Sequence, residues 1–71
     1  MKYKAILFGH VKQFENPHVI RKGELVRSPL GWSEVLEIGH FTDEDFAVLV
    51  LSRKNMKYDD NKLTDNGWKK L

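Results

Sequence analysis

The sequence predicts a mainly β fold, β or α+β in class, built as a small antiparallel meander or barrel with a short C-terminal helical turn. Three observations carry this expectation. Apolar and polar residues alternate from Lys2 to Val11, the period of a strand. Between Lys22 and Val50, two Val/Leu-bearing runs are separated by Pro29-Leu30-Gly31 and by the acidic stretch Thr42-Asp43-Glu44-Asp45, which is the punctuation of tight turns. A third run, Phe46 to Leu51, is apolar throughout and contains two valines, as in a buried strand.

In chain order, Lys2 to Val11 reads as one strand, with Tyr3, Ala5, Leu7 and Val11 on one face, Lys2, Lys4, Ile6, Phe8 and His10 on the other, and Gly9 as a bend or bulge. Lys12 to His18 holds Asn16-Pro17 and reads as loop. Gly23 opens a strand through Ser28 that Pro29 stops, because proline has no N–H for a ladder. Trp32 to His40 returns with Leu36 and Ile38 on one face and Val35 on the other. Thr42 to Asp45 fits either a capping box or a hairpin connection; the apolar run after it favours the hairpin. Asp59-Asp60-Asn61 reads as a turn, and Thr64 as the N-cap of a few helical residues that tuck Trp68 against the sheet. The expected core is Leu7, Val26, Val35, Ile38, Val48 and Val50.

A chain of 71 residues holds one small domain, residues 1–71, and buries only about 60% of its unfolded surface. There is no cysteine, which excludes disulfides, thiolate metal sites and cysteine nucleophiles. The longest apolar run falls far short of the roughly 20 residues that span a bilayer, so a cytoplasmic protein without a membrane partner is expected. The net charge of +2 conceals a pattern. Residues 1–29 carry six Lys or Arg against two acids, residues 30–50 five acids and no Lys or Arg, and residues 51–71 six Lys or Arg against three acids. Basic ends around an acidic centre favour an oriented partner over diffuse binding to polyanions.

The segment Gly23-Glu24-Leu25-Val26-Arg27-Ser28-Pro29-Leu30-Gly31, followed by Glu34-Val35-Leu36-Glu37-Ile38 and Ala47-Val48-Leu49-Val50, resembles the small five-stranded barrels of the KOW, Tudor and Src-homology-three type. The resemblance covers about the middle 30 residues. It implies binding without chemistry, through loops and a strand face, to RNA, DNA, ribosomal proteins, RNA polymerase or peptide segments.

No residue pattern points to catalysis or to a cofactor. His10, His18 and His40 lack metal-ligand spacing, and Ser28, Ser33 and Ser52 lack the context of an activated nucleophile. The candidates are surfaces. Trp32, just after a turn, is the aromatic expected to be exposed as a hot spot, with Glu34, Asp43, Glu44 and Asp45 as the acidic part of a protein-partner contact. Arg21, Lys22, Arg27, Arg53, Lys54 and Lys57 are the alternative, a basic nucleic-acid-binding face with Tyr58 or Trp32 as stacking platforms. The expected function is a non-enzymatic binding module, a small bacterial or bacteriophage accessory protein that binds or inhibits a protein partner. The alternatives are a nucleic-acid-binding barrel or a winged-helix-like DNA binder whose recognition helix Phe46 to Lys54 would supply.

Overall fold

The computed structural model describes residues 1–40 and 45–71. The chain runs β1 (Lys2–Leu7), β2 (His10–Glu15), β3 (Leu25–Ser28), β4 (Gly31–His40), β5 (Phe46–Leu51), α1 (Asp60–Asp65) and β6 (Lys69–Lys70). The fold is mainly β, as the sequence predicts, with one short helix near the C-terminus. β3, β4 and β5 form the expected antiparallel meander, and β1 and β2 a hairpin. The two units join through a parallel pairing of β1 with β5. The result is one six-stranded sheet, ordered β3-β4-β5-β1-β2-β6 and curled into a half-barrel.

The first strand is shorter than expected. The chain reverses at Phe8-Gly9, both with positive φ (49° and 67°), the backbone of a two-residue hairpin turn whose twist matches its strands. Residues up to Glu15, expected as loop, therefore form β2, and His10 pairs with Leu7. At the other hairpin, Ser28 Oγ accepts from Leu30 N at 3.1 Å and donates to Gly31 O at 2.9 Å, closing the Pro29-Leu30 turn.

The concave face carries the core: Tyr3, Ala5 and Leu7 from β1, Val35 from β4, and Ala47, Leu49 and Leu51 from β5. Leu63 of α1 and Trp68 close it from the C-terminal side, both buried, and Trp68 is the anchor the sequence predicts. Four core expectations need correction. Val50 is 39% exposed and Val48 only half-buried, because β5 turns Ala47, Leu49 and Leu51 inward. An unbroken apolar run has no period from which to choose its face; the register Ala5↔Leu49↔Ile38 makes the choice. Val26 and Ile38 are half-buried rather than buried. A bulge between Val35 and Glu37 turns Leu36 outward (43% exposed) and puts Ile38 on the inner side, where an extra residue in one strand shifts the alternation.

The helix begins earlier than expected. Asp59 is its N-cap, its carboxylate accepting from Lys62 N at 3.1 Å. Thr64 lies inside the helix, donating to Asp60 O at 3.1 Å. The turn expected at Thr42 to Asp45 lies, apart from Asp45, outside the described residues. No helix is long and apolar enough to cross a membrane among the described residues.

Candidate partner-binding groove

Curling the sheet without closing it leaves a groove between the edge strands. One part, about 380 Å³, has Ala5, Phe14, Val26 and Trp68 in its lining, with Lys12 and Arg27 on opposite banks. A neighbouring hollow of about 500 Å³ shares Phe14, Val26 and Arg27 and extends past Ile20 and Leu25 to Trp32. The side of the second hollow is the segment between β2 and β3, and Tyr3 holds it. The Tyr3 hydroxyl accepts from Ile20 N at 2.8 Å and lies 3.3 Å from His18 O, while the Tyr3 ring stacks on Phe14 with centroids 5.5 Å apart.

Trp32 is 60% exposed. Ser33 and Val35 point inward, so alternation sends Trp32 and Glu34 outward together. Arg27 and Leu25 face them across the hairpin pairings Arg27↔Trp32 and Leu25↔Glu34. The Arg27 guanidinium lies 5.7 Å from the Trp32 ring centroid, and Leu25 is 62% exposed. Trp32 and Glu34 thus share one surface. Asp45 does not join them: it precedes β5, beside the His40 end of β4, because β4 and β5 run antiparallel. Asp43 and Glu44 lie outside the described residues.

The six basic residues fall in separate places. Lys22 and Arg21 lie in the segment that bonds back to β4 (Gly23 N to Val35 O, 2.8 Å), and Lys22 pairs with Glu37 at 3.3 Å. Arg27 sits on the hairpin with Trp32. Arg53 follows β5 and lies 5.7 Å from the Phe8 centroid, with Lys54 and Lys57 exposed nearby in sequence. Phe8 in turn meets Tyr58 at 5.2 Å. Phe46 to Leu51, which a winged helix would need for recognition, is β5.

One polar pair had no signal in the sequence. His10 is buried at 2% exposure; its Nδ1 donates to Phe8 O at 2.8 Å and its Nε2 lies 2.9 Å from Asp60 Oδ1. Both ring nitrogens thus face oxygen atoms, one on the backbone of the β1-β2 turn and one on the helix. The hydrogen bond from His10 holds the Asp60 carboxyl below its ordinary value against desolvation, aided by the Lys70 ammonium at 3.5 Å. A separation of 50 residues hides such a pair from any local pattern. The pair ties β2 to α1. No group of three or more His, Asp or Glu is arranged to hold a metal among the described residues.

No family model, curated protein or solved structure matches this chain.

Proposed function

We propose that this chain is a non-enzymatic binding module that engages a protein partner through the outward face of the β3-β4 hairpin, in the manner of small accessory proteins. The observation that carries the reading is Trp32, 60% exposed beside Leu25 at 62% on a hairpin held by a closed turn. A large ring and an aliphatic neighbour on rigid backbone, backed by an arginine, make a contact of the hot-spot kind. Glu34 beside them provides orientation more than affinity.

A nucleic-acid partner is the second reading. It is supported by the stacking of Arg27 on Trp32 and of Arg53 on Phe8, the pairing of cation and ring that single strands use. Against it stand the separation of the basic residues and the Lys22–Glu37 pair.

Affinity capture with the purified chain as bait, with and without nuclease, separates the two. The protein-partner reading expects capture that survives nuclease and is lost in Trp32→Ala. Capture that disappears with nuclease, and in a variant neutralised at Arg27, Arg53 and Lys54 but not in Trp32→Ala, refutes it. Affinity for random oligonucleotides that falls steeply with salt would replace it with the nucleic-acid reading.

A further inference from the structure

We propose that the groove between β2 and β3 accepts an extended acidic peptide of alternating apolar side chains, which adds as a strand to both free edges and completes the barrel. This rests on the protein-partner reading and names the partner's chemistry.

The first support is the direction of the backbone groups. β6 covers β2 only at His10 and Val11, and Leu71 N donates to Gly9 O at 2.9 Å. The odd-numbered residues of β2 therefore face away from β1, and the even-numbered ones face it, as the bonds of Asn16 with Met1 require. Beyond β6, the N–H and C=O groups of Gln13 and Glu15 are left on an open edge. On β3, Val35 N donates to Glu24 O at 2.8 Å, so the even-numbered residues face β4. Leu25 and Arg27 then direct theirs outward, where no strand among the described residues pairs with them. Two open edges flank one groove, which is the arrangement that strand addition uses.

The second support is the lining. A strand laid in the groove sends alternate side chains to opposite faces, and those on the concave side would meet Ala5, Phe14, Val26 and Trp68. Small or β-branched apolar residues suit that side.

Charge selects the occupant. Arg27 shares the outer face of the β3 bank with Trp32, and Lys69 that of the β2 bank with Val11, while Lys12, directly across from Ala5, stands on the concave side. None of the three forms an ion pair among the described residues; Lys12 donates only to the neutral Asn66 O, at 2.8 Å. An extended segment bringing carboxylates on its outward side supplies the missing counter-charge to Arg27 and Lys69.

The test uses the isotope-labelled full chain and a blocked hexapeptide alternating valine and glutamate. The expected result is saturable binding that slows hydrogen exchange at the Gln13, Glu15, Leu25 and Arg27 amides by about tenfold or more. Replacing glutamate by lysine, or N-methylating either alternate set of peptide amides, should weaken binding by about tenfold or more, because each edge loses its bonds. Leu25→Pro removes an edge N–H while leaving the bonds of β3 to β4, a position proline tolerates; it should weaken binding similarly. The methylated peptides test the same bonds without altering the protein.

The proposal is overturned if the alternating peptide does not bind, if the lysine or methylated peptides bind as well, or if protection appears elsewhere. It is also overturned if an oligothymidylate protects the same amides more strongly. Failure here with Trp32-dependent, nuclease-resistant capture intact removes the groove as the docking site and leaves the protein-partner reading standing. Failure of both removes both.

Discussion

Replacing Tyr3 by Phe removes a single oxygen and isolates what that oxygen does. The ring is 1% exposed, and its stacking on Phe14 is kept in the variant. What disappears is the acceptor for Ile20 N, a buried bond of 2.8 Å. Leaving a buried N–H unpaired costs about 1–3 kcal/mol. In a domain of this size each kcal/mol lowers the melting temperature by roughly 4–8 °C, so a fall of about 5–20 °C is expected. Thermal denaturation followed by circular dichroism measures it. Amide exchange locates it: Ile20 should lose more protection than Leu49, whose amide opens only with the whole sheet. Melting within about 2 °C of the wild type, with the Ile20 amide equally protected, would show that the segment between β2 and β3 is held by something else.

The inward and outward faces of β5 are separated by two adjacent substitutions. Leu49→Ala should cost about 2–5 kcal/mol, whereas Val50→Ala should cost less than about 1 kcal/mol because its side chain is already half in water; equal losses in urea titrations would invert the strand. Trp32→Ala should change stability by no more than about 1 kcal/mol while abolishing partner capture; a large melting shift would make Trp32 a structural residue. Asp60 titrates below its ordinary value in the folded chain, so its ionised form contributes stability above about pH 4 that is lost as pH falls through the lowered folded value. Asp60→Asn should therefore melt below the wild type at neutral pH, and the gap should close on acidification; a gap independent of pH argues against the His10 tether.

What the sequence made legible is what local chemistry determines. Pro29 and Gly31 mark the β3-β4 hairpin, and the valines mark β5 as strand. The exposure of Trp32 follows from its place beside a turn, and the burial of Trp68 from its role as terminal anchor. The hidden features depend on partners distant in the chain. Phe8-Gly9 lacks the usual hairpin dipeptide, so nothing local interrupts the alternation of β1 before Val11. The inward face of β5 is set by Ala5, which the parallel pairing brings alongside Leu49. The bulge at Val35 to Glu37 leaves no mark in composition, yet it decides that Leu36 meets water and Ile38 meets the core. The candidate contact was half legible: Trp32, Glu34 and Arg27 share a surface, while Asp45 belongs to the other end of β4.

An open sheet of this kind needs protection from indiscriminate pairing, since unpaired edges invite other strands. The chain guards its two edges unequally. Lys69 and Lys70 extend β6 over the start of β2 and stop there, so Gln13 and Glu15 stay uncovered. β3 is only four residues long, and Arg27 sits in its middle. Short length and positive charge both discourage addition of a second copy of this chain, whose own edges bear Lys12, Arg27 and Lys69. The same charges attract an acidic strand. If repulsion between like edges keeps the chain monomeric, then Lys12→Glu with Arg27→Glu should shift it toward self-association, because β2 and β3 of different copies would no longer both be basic relative to β6. Sedimentation at graded salt measures this: the double variant should associate most at low salt, where Lys69 and Lys70 attract the new acids over about a Debye length. A variant that associates no more than the wild type under those conditions would mean that charge at these edges does not govern addition of a second copy.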